Sequence, residues 1–161
     1  MSRRMAREAA FMVLFAKEFG SADDYQSVLA MASDKARPKN QDEAFTTELV
    51  TGTLQNKNEI DAIIGRHAID WQIANMPLVD LCILRIAIYE LLFDTLPDSV
   101  CINEALELAK TYAGDKSAAF INGVLGGVSR QKASEGISSV IGLLNKEEQN
   151  DILQQAKEED I

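Results

Sequence analysis

Residues 77–93 read PLVDLCILRIAIYELLF. This is the most hydrophobic run in the chain, and its three charged members, Asp80, Arg85 and Glu90, do not share a helical face. A helix that is apolar on every side is surrounded by other helices. The same three charges argue against a membrane span. A charge on a buried helix needs a partner, so Arg85 and Glu90, with Asn103 and Glu104 further on, are read mainly as structural residues that supply one another.

Working outward, Met76-Pro77 marks the start of this helix and Asp70-Trp71 a short connecting turn. Upstream, Phe45, Leu49, Gly52 and Thr53 recur at helical spacing, a break falls near Asn56–Asn58, and Ile60, Ile63, Ile64 and Ala68 continue in a second helix. Downstream, Pro97-Asp98 reads as a turn. An amphipathic helix follows from about Asn103 to Tyr112, with Ile102, Ala105, Leu106 and Ala109 facing in and Glu104, Glu107 and Lys110 facing out. Gly114 stops it, and Asp115 or Ser117 is placed to cap a last helix whose core stripe is Phe120, Ile121, Val124, Leu125 and Val128. The glycines of GVLGG (123–127) suggest close helix contact, since glycine inside a helix costs on the order of 1 kcal/mol relative to alanine.

The chain's beginning is also helical. Residues 3–19 hold no Gly or Pro, are apolar on most sides and end at Gly20, a C-cap candidate. A second helix is expected over roughly 23–35, closed by Pro38. No segment alternates with period two for long enough to make a strand. The predicted class is all-α, with about seven helices over residues 3–131.

At 161 residues and 47% hydrophobic content the chain can build a core without disulfides or metal. Cys82 and Cys101 lie in apolar stretches and read as buried free thiols of a reducing cytosol. The start of the chain shows no small-residue cleavage site, so a soluble cytoplasmic protein is expected. His67, the one histidine, has no nearby Cys, His or carboxylate pair and reads as structural. There is no HExxH, phosphate loop, GxSxG or dinucleotide fingerprint. An enzyme, a cofactor and a metal site are not expected.

One feature resists this bland reading. The chain carries 16 basic and 25 acidic side chains, net −9, yet opens MSRRMAREAA with Arg3, Arg4 and Arg7. On a helix Arg3 and Arg7 are i, i+4 neighbours, and Arg4 lies about 60° from Arg7. Cations at a helix N-terminus oppose its dipole, so helix stability does not explain them. Two readings stand: a solvated helix start, or a phosphate-contacting arm, which screening over roughly 8–10 Å permits despite the net charge.

The blocks ARE (6–8) with LF (14–15), DLCILRIAIYELL (80–92) and VCINEALELAKTYAGDKSAAFINGVL (100–125) resemble the bacterial NusB family of transcription antitermination factors. They occur in the family's order over roughly residues 3–130. The resemblance implies two three-helix bundles, no catalysis, and binding of boxA, a single-stranded RNA element of ribosomal RNA transcripts. It implies as partners NusE, a small-subunit ribosomal protein, and RNA polymerase with the other Nus factors. The family's arginine-rich start falls on Arg3, Arg4 and Arg7. A second RNA-facing region falls on Lys116, Ser117 and Phe120, with Lys110 nearby, although Phe120 reads equally well as a core residue. The partner-binding positions fall on Phe15 and Asp80.

The resemblance ends near residue 130. Residues 131–161 carry three lysines against seven carboxylates and are read as a separate acidic extension, partly helical, with Asn145 and Glu148 at a helix start. Its contrasting charge suggests competition with RNA for the basic arm. Two other functions compete with this one. A NusB-like domain of an rRNA methyltransferase needs a large nucleotide-binding domain for which this chain has no room. A helical protein-interaction module without RNA binding fits the acidic charge. The sequence leaves a homodimer open.

Overall fold

The structure, a computed structural model, describes residues 3–18, 40–94 and 96–136. The expected helix over 23–35, the C-cap at Gly20 and the helix after Asn145 lie outside the described residues. Among the described residues there are six α-helices, α1 (Arg3–Glu18), α2 (Asn40–Gln55), α3 (Lys57–His67), α4 (Leu78–Phe93), α5 (Asp98–Tyr112) and α6 (Asp115–Glu135), with one 3-10 turn at Ile73–Asn75 before α4. No strand occurs among the described residues.

The hydrophobic run is the hub. α4 packs against α1, α2, α3, α5 and α6, and Leu81 to Ile88 are all buried. Further contacts pair α1 with α2, α3 with α6, and α5 with α6. Ala10, Val13, Leu49, Ile60, Ile64, Ile121 and Leu125 join the α4 side chains in one continuous core. No described helix is long and apolar enough to cross a membrane.

The break between α2 and α3 is a single turn residue, Asn56, whose side-chain amide donates to the Gly52 carbonyl at 2.8 Å. That local bond competes with continuation of the helix. At Gly52 itself the backbone lies so close to the Tyr89 ring that a Cβ there would run into it. The chain leaves α3 through Asp70, at φ 71°, and enters α4 at Pro77, whose ring presets the approach.

Two boundaries differ from the sequence expectation. α5 begins at Asp98 rather than near Asn103: the Val100 and Cys101 amides donate to the Pro97 carbonyl at 3.0 and 3.3 Å, and Asp98 suits a first turn. α6 is capped by neither Asp115 nor Ser117. Gly114, at φ 111°, occupies the cap position, with no side-chain cap bond, and a left-handed residue between two packed helices favours glycine. The division at 130/131 falls inside α6. Nearby, His67 Nε2 lies 2.8 Å from Gln131 Oε1, and Lys132 Nζ donates to Leu91 O at 2.7 Å and Asp98 at 2.6 Å. Of the GVLGG glycines, Gly127 does mark a close contact, since a Cβ there would sit 2.8 Å from His67 Nδ1, whereas Gly123 faces open space.

Arg85, Glu90 and Glu104 are partnered, but not by one another as expected. Arg85 donates to Asp61 at 2.8 and 2.9 Å and to Glu18 at 2.8 Å, and Lys57 adds a 3.0 Å bond to Glu18. Glu90 is answered by Arg7, and Glu104 by Arg4. Glu104 is therefore half-buried rather than outward-facing, and Asn103 is exposed. Cys82 and Cys101 are buried free thiols, pushed by burial up to about 12 and about 11.

Candidate nucleic-acid interface

The three N-terminal arginines step progressively inward along α1. Arg3 is exposed, its guanidinium 4.6 Å from the centre of the Phe45 ring. Arg4 has a side chain 53% exposed and forks onto Glu104 at 3.1 and 3.2 Å. The Glu104 carboxylate raises its pKa. Arg7 is 5% exposed and makes three bonds to Glu90, at 2.8, 3.1 and 2.9 Å. Burial opposes its charge, but the Glu90 bonds outweigh it and its pKa is raised. This corrects the picture of one solvent-facing arm. Arg3 and Arg4 face outward, while the Arg7 fork is committed inside the fold and secures α1 to α4.

α1 then runs along α5 in the same direction. Arg4 meets Glu104, Tyr112 donates to Glu8, and the Phe11 and Tyr112 rings stand 4.9 Å apart. From Glu104 to Tyr112 the axial rise is about 12 Å at ~1.5 Å per residue. At the far end of α5, Lys110 is exposed in the last turn, where a cation complements the helix dipole. The chain turns at Gly114 and delivers Lys116, Ser117 and Phe120 from the first two turns of α6.

These three residues converge with Trp71, Pro77 and Asp80 around a cavity of about 210 Å³. Phe120 is half-buried. It packs partly against the core and partly faces Trp71, with ring centroids 6.1 Å apart and planes tilted by 57°. Trp71 is 48% exposed, and Lys116 is exposed at the rim. Asp80 is only 4% exposed, and its Oδ1 has no hydrogen-bond partner. The site thus offers two aromatic surfaces, one cation and one hydroxyl, with the buried Asp80 behind them.

Of the residues expected to contact RNA, the structure gathers Lys116, Ser117 and Phe120 at the cavity. It keeps Arg3 and Arg4 on α1 and leaves Lys110 outside the lining. Asp80, expected at a protein interface with Phe15, lies in the cavity. Phe15 lies elsewhere, half-buried with its ring 5.8 Å from Phe11. Trp71, which also lines the cavity, is not among the candidates that the sequence offers. Its signal was available: a lone tryptophan in a polar turn is poorly placed for a core. Among the described residues no group of three His, Cys, Asp or Glu side chains could hold a metal ion.

The chain is similar in sequence and in fold to known proteins. The NusB family model matches residues 4–130. A transcription antitermination protein NusB of Pelotomaculum thermopropionicum is 45% identical over 78% of this chain and 88% of its own length. One of Heliobacterium modesticaldum is 42% identical over 81% of this chain, and the alignment spans only 64% of that relative. Among solved structures, T. maritima NusB superposes with a TM-score of 0.73 at 31% identity, covering 86% of this chain and 98% of its own. A structure of NusB and NusE in complex with dsRNA gives a TM-score of 0.68 at 26% identity, covering 80% and 96%. These relatives are named for transcription antitermination, which is not a catalytic function. The chain belongs to the NusB family of transcription antitermination proteins.

Proposed function

We propose that this protein binds boxA-type single-stranded RNA of ribosomal RNA transcripts together with a NusE-type ribosomal protein, and so joins the antitermination complex on RNA polymerase. The observation that carries the RNA part is the cavity shared by Lys116, Ser117, Phe120 and Trp71. Aromatic faces stack on unpaired bases whatever their sequence, and cations beside a helix N-terminus hold phosphate. Arg3 and Arg4, displaced along α5, extend the basic track by a span that a few nucleotides can bridge. Arg7 contributes by fixing α1 in place. Phe15 on α1 and Asp80 at the start of α4 are the candidate protein-partner contacts. Division into two three-helix bundles and an acidic extension after residue 130 complete this reading.

The test is a salt titration of boxA RNA binding, with and without the NusE-type partner. Each phosphate contact removed lowers the log–log salt slope by about 0.7 for a single strand. Arg3→Ala/Arg4→Ala is expected to weaken binding and flatten the slope by one to two such steps, with Lys116→Ala adding another. One observation favours a second reading, a protein-interaction module without RNA binding: two of the three arginines are already engaged by carboxylates. Wild-type slope and affinity in all these variants would select that reading.

A further inference from the structure

We propose that Phe45 of α2 is a positioning residue for RNA: its ring holds the Arg3 guanidinium as the principal phosphate-binding cation at the start of α1, a role from which Arg4 is withdrawn by its fork onto Glu104. This rests on the RNA-binding reading above and divides the work within its basic track.

Arg3 and Arg4 are neighbours in sequence and both exposed, but they are held by opposite means. Arg4 gives Nε and Nη2 to the two carboxylate oxygens of Glu104, at 3.1 and 3.2 Å. Its charge is answered there, and two of its three donor nitrogens are spent. A phosphate that approached it would also meet the Glu104 carboxylate. Arg3 meets a ring instead. Its Cζ stands over Phe45, 4.6 Å from the ring centre, and no hydrogen bond or ion pair joins its guanidinium to another described residue. An aromatic face attracts a cation through its quadrupole. That attraction uses none of the N–H donors and cancels none of the charge. Arg3 thus keeps its whole planar fork, the geometry that recognises phosphate through paired bonds.

The platform is itself fixed. Phe45 is half-buried and packs against the core. The next residue, Thr46, is buried, and its hydroxyl donates to the Ala6 carbonyl at 3.2 Å, tying α2 to α1. Arg7, locked onto Glu90, approaches the same ring, with its Cζ 5.5 Å from the centre. Ordering a long, exposed arginine on binding costs rotamer freedom, and a ring that already holds the side chain lowers that cost. The first turn of α1 contains no acidic residue. No acid of that turn therefore offsets the helix dipole where Arg3 stands, and an anion is favoured there.

The experiment titrates a short single-stranded boxA-type RNA by fluorescence anisotropy at a series of salt concentrations, with the NusE-type partner present throughout. Arg3→Ala is expected to lose about tenfold in affinity at low salt and about 0.7 in the log–log slope. Arg4→Gln/Glu104→Gln, which removes the pair together and leaves net charge unchanged, should lose less, about threefold, and less of the slope. Phe45→Leu should lose about threefold, and Phe45→Tyr should retain wild-type affinity. A double-mutant cycle separates positioning from support of the fold. Phe45→Leu should cost nothing further in an Arg3→Ala background, whereas a ring that only supports the fold would cost the same in both. Arg3 is exposed, so the comparison of the two arginines stands even if Phe45→Leu folds poorly. Three results would overturn the proposal: a wild-type slope in Arg3→Ala, a loss from Arg4→Gln/Glu104→Gln as large as that from Arg3→Ala, or an equal cost of Phe45→Leu in both backgrounds. A wild-type protein that binds no boxA RNA would instead remove the RNA-binding reading, and this inference with it.

Discussion

Glu90 and Asp80 stand ten residues apart on the same helix, and both are withdrawn from water, 2% and 4% exposed. Their surroundings are opposite. Glu90 is gripped by Arg7 through three hydrogen bonds, whereas Asp80, beside a cavity, has an oxygen that no described residue satisfies. A sequence shows two acids in a hydrophobic helix and cannot tell them apart. The fold gives one a counter-charge and gives the other none among the described residues. Whether a buried charge finds a counter-charge therefore distinguishes the two acids where burial does not.

The difference predicts a gradient of mutational sensitivity along α4, steep at the Glu90 end and shallow at the Asp80 end. Glu90→Gln strands the Arg7 guanidinium in the interior, and breaking a buried pair from one side costs about 3–5 kcal/mol. Urea denaturation should show this as a large drop in midpoint, and the double variant Arg7→Met/Glu90→Leu should recover most of it. Gly52→Ala, which drives a methyl group into the neighbouring Tyr89 ring, should cost about 1–3 kcal/mol by overpacking.

The middle of the helix predicts a pH effect. Glu18 is held below its ordinary value of 4.5 by its Lys57 bond, against the pull of burial and with help from Arg85. A carboxylate depressed in the folded state stabilises the fold above its unfolded pKa and loses that contribution as pH falls through the lower folded value. Stability should therefore decline below about pH 4.5, and Glu18→Gln should flatten this acid limb in midpoints measured at successive pH values. The smallest effect belongs to Asp80→Asn. With no partner to lose, it should leave the melting temperature unchanged or slightly raised. A fall as large as that of Glu90→Gln would erase the distinction between the two acids.

The helices were legible in the sequence because their signals are local. The 3.6-residue period, Asn56, Pro77 and Gly114 all act within a turn or two of where they stand. The start of α5 was missed because Asp98 to Ile102 lack an amphipathic pattern, while Pro97 initiates the helix through its own carbonyl. The candidate site was legible as residue types and only partly as an arrangement. Lys116, Ser117 and Phe120 share one helix start and came as a set. Arg3, Arg4 and Arg7 look alike in a string of letters, and only partners some eighty to one hundred residues away, Glu90 and Glu104, make Arg7 an anchor while Arg4 keeps a side chain about half exposed. Trp71 reached the cavity from a turn that local reading treats as a connection.

The two cysteines carry a last consequence. A thiol must ionise before it attacks a disulfide or an alkylating reagent, and Cys82 and Cys101 sit in the core with their ionisation pushed far above neutral pH. In the native molecule they are chemically silent. They react when α4 or α5 comes away from its neighbours, so the pace of their modification is a clock for opening of the core. An unmodified chain carries its own reporter of how often the hub of the fold lets go.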